Sequence, residues 1–154
     1  MSRAFVREQD IDGVEALPDR PVSGHPNLVT EVGLARIDAA IAGARTAHGL
    51  AQAASDRASM ASAARELRYW SARRATAQVV AASDDVSKVR FGATVTIMRD
   101  DGREQAFQIV GEDEADPAQG SVSHVSPLAR ALLGKSIGDV VRAGSGNAEI
   151  VSIA

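Results

Sequence analysis

The chain has 154 residues, of which 45% are hydrophobic and 3% are aromatic, and its formal net charge is -3. This length accommodates one domain, or a small domain with an appendage, and excludes two full-sized hydrophobic cores. The absence of cysteine excludes disulfides, thiolate metal sites and a cysteine nucleophile, and the slight negative charge disfavours a broad phosphate-binding face.

Residues 1–28 predict an extended or disordered leader. They contain Pro18, Pro21 and Pro26 and several scattered acids, with few large apolar residues between them. The start of the chain carries acids where a signal peptide would have its apolar core, and the sequence has no apolar run long enough to span a membrane. We therefore expect a cytoplasmic protein without a membrane contact.

Residues 29–83 predict an antiparallel coiled-coil hairpin of two helices. Thr30 is a suitable N-cap, and the second helix is expected from about Ser55 to Val80, with Ser55 or Asp56 as its cap. Apolar residues recur at spacings of three and four in both segments, and each stripe is narrow enough to need the other as its partner. The stripes consist of Leu34, Ile37, Ile41, Ala44 and His48, and of Ala63, Leu67, Trp70, Arg74 and Ala77.

Residues 84–154 predict an antiparallel β domain with one short helix, so the chain as a whole belongs to the α+β class. FGATVTIMRD alternates apolar and polar residues, the Asp100, Asp101 and Gly102 sequence offers a tight turn, and EQAFQIV returns. A β-hairpin is therefore expected over residues 89–110.

Residues 126–154 predict the short helix and a second strand pair. In SPLARALLGK, Ser126 is a suitable cap, Pro127 suits the first helical position and Gly134 follows the end. The stretch DVVRAGSGNAEIVSIA predicts two strands around a turn at residues 144–147.

Several motifs occur in a fixed order from about Asn27 to the C-terminus, namely VTEVGLARI, TAQVV, FGATVTI, IVGEDEADP, SPLARALLGK and GDVV. This ordered set resembles the Gre-factor family of bacterial transcription elongation factors. The resemblance implies an N-terminal coiled coil followed by a C-terminal domain of FK506-binding-protein-like fold. It also implies a protein that docks this domain on RNA polymerase near the rim of the secondary channel and inserts the coiled coil.

The segment TAHGLAQAASDRASM, residues 46–60, departs from the family pattern. By the resemblance, cleavage-stimulating members carry an aspartate and a glutamate at the tip, which help to hold a second Mg²⁺ for RNA cleavage. Here Asp56 is the single acid, and Arg57 beside it would oppose cation binding. The resemblance further implies arms about two turns shorter than in the cleavage factors, which retracts the tip by on the order of 10 Å. We therefore expect no metal, no cofactor and no catalytic residue.

Two groups of residues are candidate contact sites by this resemblance. The channel-facing hairpin tip comprises His48, Gly49, Leu50, Gln52, Asp56 and Arg57, and the polymerase-docking site comprises His124, Ser126, Pro127, Leu128 and Arg130.

Other polar clusters have a simpler structural interpretation. His48 with Asp56 could form an acid/base or metal pair, but a solvated loop in which Asp56 caps the second helix is favoured. The acids Glu112, Asp113, Glu114 and Asp116 could bind a divalent cation, but a solvated turn is favoured. Arg73 and Arg74 could face the polymerase or nucleic acid, but a solvated basic face is favoured, and Trp70 is expected to pack at the neck of the hairpin.

Three classes of function remain open. The favoured one is a monomeric, non-enzymatic regulator that binds RNA polymerase, contacts nucleic acid only through the polymerase complex and modulates elongation without stimulating transcript cleavage. The alternatives are a regulator of the nucleoside diphosphate kinase type or another protein-interaction module, and an enzyme such as a prolyl isomerase, for which only Phe91 and Phe107 could line an aromatic pocket. The acidic leader could fold back on the basic helices, and deletion of residues 1–26 would then strengthen polymerase binding.

Overall fold

The structure is a computed structural model that describes residues 16–154, so residues 1–15 of the predicted leader lie outside the described part of the chain. In chain order the elements are β1 (Leu28–Val29), α1 (Glu31–Ala53), α2 (Arg57–Thr76), β2 (Gln78–Val79), β3 (Thr94–Arg99), β4 (Glu104–Val110), a 3₁₀ turn (Pro117–Gln119), β5 (Ser121–Ser123), α3 (Pro127–Leu132), β6 (Val140–Ala143) and β7 (Gly146–Ile153). They form two long helices followed by a curled mixed sheet with one short helix.

The two long helices pack against each other through small side chains. Thr30 caps α1 as predicted, because its Oγ1 accepts a hydrogen bond from the Gly33 amide at 2.9 Å. The buried residues Ile37 and Ala44 of α1 lie in the predicted stripe, as does Ala63 of α2. At the end of the pair where α1 begins and α2 ends, the Nε atom of Arg74 lies 2.8 Å from Asp38 Oδ1.

The second helix is shorter than predicted. It ends at Thr76 rather than Val80, and Gln78–Val79 instead forms a parallel pair with Leu28–Val29. The Gln78 amide donates to the Asn27 carbonyl at 2.8 Å and the Val80 amide donates to the Val29 carbonyl at 2.9 Å. The helix pair thus begins and ends at two adjacent strands, whose pairing joins segments far apart in sequence.

The main sheet has the strand order β5-β4-β3-β7-β6. The prediction of a wholly antiparallel domain is wrong at one edge, because β5 runs parallel to β4. The connection from Gly111 to Gly120, which contains the acidic run and the 3₁₀ turn, returns the chain to a point beside Gln108 of β4, where β5 begins. A parallel neighbour requires such a crossover.

Both predicted strand pairs are present, with different bounds. β3 pairs antiparallel with β4, but it starts at Thr94 because the preceding residues turn at Gly92, whose φ is +86°. β6 pairs antiparallel with β7 in a register that places Ala143 opposite Gly146, which leaves only residues 144 and 145 in the turn.

The apolar core lies between one face of this sheet and α3. It contains Val95, Ile97, Ile109 and Ile150 from the strands and Leu132 from the helix, all of them fully buried. Ser126 caps α3 as predicted by accepting a hydrogen bond from the Ala129 amide at 3.2 Å, and Gly134 follows the helix with a φ of +80°.

Candidate functional site

The connection between the two long helices is shorter than the sequence predicts. α1 continues to Ala53, so only residues 54–56 join the helices. His48, Gly49, Leu50 and Gln52, predicted as part of the hairpin tip, lie on the last turns of α1. Of these side chains Leu50 is 69% exposed, which leaves a large apolar group in solvent at the end of the helix pair.

Asp56 is the N-cap of α2. Its Oδ1 accepts a hydrogen bond from the Ser59 amide at 3.1 Å, and its Oδ2 accepts one from the Ser59 hydroxyl at 2.6 Å. These two bonds lower the pKa of Asp56, the hydroxyl contributing most. Arg57 is the first residue of α2. Both carboxylate oxygens of Asp56 therefore accept hydrogen bonds from the first turn of α2, the helix that this residue caps.

Neither predicted metal alternative gains structural support. Within residues 16–154, no group of three or more His, Cys, Asp or Glu side chains is arranged to hold a metal ion. The same part of the chain contains no helix that is both long and apolar enough to cross a membrane.

The five residues predicted to dock on a polymerase lie together at the beginning of α3. Pro127 and Arg130 are exposed, whereas Leu128 packs partly against the core and Ser126 serves as the cap. His124 is half-buried, its ring meets Phe91 edge to face at 5.6 Å, and burial lowers its pKa while Glu112 acts in the opposite direction. Of this group, only Pro127 and Arg130 are exposed to solvent.

Arg73 is the point at which the helix pair meets the sheet, and its assignment to a solvated basic face is wrong. Its side chain is only 2% exposed, and its Nε donates to Asp113 Oδ2 at 2.5 Å. Its Nη2 donates to Asn27 Oδ1 at 2.8 Å, and Asn27 Nδ2 donates back to the Arg73 carbonyl at 2.8 Å. Arg74, by contrast, is exposed, which agrees with the solvated basic face but not with its place in the predicted stripe of the second helix.

The prediction of a solvated turn after β4 is wrong for Glu112, Asp113 and Glu114, which are partly buried, whereas Asp116 is exposed as predicted. Asp113 accepts from Arg73 and from the Tyr69 hydroxyl, and Glu114 Oε2 accepts from the Thr30 hydroxyl at 2.6 Å. Asp113 and Glu114 therefore bind residues at the base of the helix pair. The sequence signal for this role is weak but present, because Tyr69 and Arg73 are four residues apart and so share one face of α2.

Residues 16–27, which we name the strap, lie along the outer face of α2. Arg20 Nη1 lies 2.8 Å from Glu66 Oε2, and Arg68 Nε lies 2.6 Å from Asp19 Oδ1. The guanidinium carbon of Arg20 lies 3.8 Å from the centre of the Tyr69 ring. The described part of the leader thus contacts the basic helix, while residues 1–15 lie outside the description.

A family model described as "Transcription elongation factor, GreA/GreB, C-term" matches residues 83–154. A transcription elongation factor GreA of Bartonella henselae is 33% identical over 144 residues, which cover 90% of this chain and 88% of that protein. A GreA of Hyphomonas neptunium is 65% identical over 54 residues, which cover 34% of each protein. In several such curated relatives, the matched segment spans about a third to a half of the relative's length.

A solved structure with a related description is GreA factor homolog 1 of Thermus thermophilus. It is 19% identical, with a TM-score of 0.39 over 84% of this chain and 99% of that chain.

Proposed function

This chain belongs to the GreA/GreB family of transcription elongation factors, and from that premise we propose that it binds RNA polymerase and modulates elongation without stimulating transcript cleavage. In this proposal the protein acts in the cytoplasm as a non-enzymatic monomer. It reaches nucleic acid only through the polymerase complex.

The observation that carries the proposal is the chemistry of the helix connection. Residues 46–60 contain one carboxylate, Asp56, and both of its oxygens bond to Ser59. Two-metal phosphoryl chemistry requires anionic oxygen ligands at a fixed short spacing, and a single carboxylate engaged as a helix cap does not supply them. Arg57 adds positive charge at the same place. The connection therefore suits steric contact better than recruitment of Mg²⁺.

The proposed binding mode assigns one task to each half of the chain. The sheet domain, which we take to be FK506-binding-protein-like, docks on the polymerase through the exposed Pro127 and Arg130 beside His124, Ser126 and Leu128. The helix pair then enters the secondary channel as an antiparallel coiled coil, with the exposed Leu50 and its neighbours at the tip. The contact of the helix pair with the connection after β4, through Arg73 and Asp113, supports insertion as one rigid arm.

The test is RNA cleavage in a purified, backtracked elongation complex containing Mg²⁺. We expect the protein alone to leave the intrinsic cleavage rate of the polymerase unchanged. Added with a cleavage-stimulating GreA, it should suppress that factor in proportion to its own concentration. Arg130→Glu should abolish the suppression, whereas Arg142→Glu, the same charge change on the exposed edge strand β6, should not.

Two results would contradict the proposal in different ways. If the wild-type protein stimulates cleavage by the polymerase and Asp56→Asn does not, this carboxylate recruits metal. Absence of both cleavage and competition would contradict polymerase binding itself.

A further inference from the structure

The strap holds Arg20 on a surface of α2 whose chemistry is that of an arginine site. Glu66 offers a carboxylate at 2.8 Å, and the Tyr69 and Trp70 rings lie 3.8 and 5.6 Å from the guanidinium carbon. A planar guanidinium stacks on aromatic rings while it bonds a carboxylate, and an ammonium group cannot do both equally well. The surface therefore distinguishes arginine from lysine.

This surface is positioned by contacts other than those to Arg20. The Tyr69 hydroxyl donates to Asp113, which the buried Arg73 also fixes, and Trp70 Nε1 donates to Glu66 Oε2 at 3.2 Å. The two rings meet edge to face with centres 4.9 Å apart. The carboxylate and both rings thus keep supporting partners when Arg20 leaves.

The strap itself is held by contacts that solvent weakens. The Arg20 and Glu66 side chains are 33% and 41% exposed, and the neighbouring pair of Arg68 and Asp19 is more exposed still. Residues 16–27 contain no helix or strand, and Leu17 and Val22 are 37% and 48% exposed. Ion pairs that solvent reaches to this degree contribute little net stability. The end of the strap is held more firmly, because the Ser23 hydroxyl donates to Glu112 Oε1 at 3.0 Å and Asn27 is buried. The strap can therefore leave α2 while its end stays attached.

We propose that Glu66, Tyr69 and Trp70 form a binding surface for an arginine of a partner protein, and that Arg20 occupies it within the chain until the partner arrives. The partner is RNA polymerase, since the surface lies on a helix of the inserting arm; this step rests on the proposed function. A tethered occupant acts at an effective concentration on the order of millimolar, so it lowers the apparent affinity of the competing arginine.

The surface is tested with the full-length Arg20→Ala protein and Nα-acetyl-arginine amide as the probe, followed by fluorescence of Trp70, the single tryptophan. We expect a saturable change in this variant, and no change in the wild type or in Arg68→Ala, in which Arg20 still occupies the surface. Nα-acetyl-lysine amide should need a concentration about tenfold higher or more. No saturable change in Arg20→Ala, or equal responses to both probes, would overturn the proposal.

The partner is tested by equilibrium binding to core RNA polymerase. Arg20→Ala should bind several-fold more tightly than the wild type, and Glu66→Gln in the Arg20→Ala background should remove that gain. Equal binding by Arg20→Ala and wild type, with the arginine titration positive, would refute the polymerase as the source of the arginine. No binding by any variant would instead refute the proposed function, and the titration would still decide whether the surface takes arginine.

Discussion

Arg73 of α2 and Asp113, in the connection after β4, join the helix pair to the sheet domain through a hydrogen bond of 2.5 Å, although 40 residues separate them in sequence. The arginine is 2% exposed and the aspartate 13%, so the charges are paired almost out of contact with water. Asn27 and Tyr69 bond to the same two side chains, which makes this pair the centre of the contact between the two halves.

Removing the arginine should therefore destabilise the fold. In Arg73→Ala the Asp113 carboxylate loses its buried partner, and loss of one member of such a pair costs about 3 to 5 kcal/mol. Arg74→Ala, an adjacent change at an exposed ion pair, should cost about 1 kcal/mol or less. Urea denaturation of both variants measures the difference in unfolding free energy. Similar values for the two would show that the burial of Arg73 does not govern stability.

Titration of Tyr69, the single tyrosine, reports on the same contact at high pH. Burial, followed by the hydrogen bond to Asp113, raises the pKa of Tyr69 from 10.0 to about 12. Because the folded chain retains a proton that the unfolded chain releases, the free energy of unfolding should fall as the pH rises from 10 to about 12. Absorbance at ~295 nm follows the phenolate directly.

A variant separates the two causes of this pKa shift. Asp113→Asn removes the charged acceptor but leaves the ring half-buried, so the Tyr69 pKa should fall while remaining above its ordinary value. A titration of the folded wild-type protein with a midpoint at the ordinary tyrosine value would contradict the described contact.

The cap of α2 predicts a contrast between two substitutions at one position. Asp56→Ala removes the acceptor for the Ser59 amide and should lower the urea midpoint, whereas asparagine is also a good N-cap and Asp56→Asn should have a smaller effect. Since the pKa of Asp56 is lowered in the folded chain, its contribution should be present above the unfolded pKa and vanish as the pH falls through the folded pKa. Equal midpoints for both variants would argue against the cap.

Two glycines should respond to alanine in opposite directions. A Cβ at Gly43, in the exposed middle of α1, meets no atom within 4 Å, so Gly43→Ala should raise the unfolding free energy by about 0.5 to 1 kcal/mol. A Cβ at Gly111 would lie 2.4 Å from the Leu28 carbonyl oxygen, which belongs to the backbone and cannot easily move. Gly111→Ala should therefore lower stability, as thermal unfolding of the two proteins would reveal.

The sequence predicts elements whose signals are local. Thr30, Asp56 and Ser126 each cap a helix, and the turn after Arg99 joins two antiparallel strands, because each depends on neighbours within a few residues. The end of α2 was not predictable in this way, since Gln78–Val79 takes its strand partner from Leu28–Val29. The sequence pattern around residues 78–79 does not indicate that they pair with Leu28–Val29.

The candidate sites show the same division. Composition alone reveals that residues 46–60 contain a single acid, and the structure adds that Asp56 is a cap. Burial of Arg73 was missed because a basic residue beside Arg74 on a helix usually faces solvent, and only the acids after β4 reverse that preference. The arginine surface under Arg20 required the position of a segment that lacks regular secondary structure.

The pairing of β1 with β2 places the two ends of the helix pair side by side. The polypeptide leaves the body of the protein at Val29 and returns at Gln78, beside its point of departure. Whole helical turns can therefore be added to or removed from both arms together without altering any strand register in the main sheet. The length of the helix pair can therefore be changed, by evolution or by design, in steps of about 5.4 Å while the docking domain stays the same.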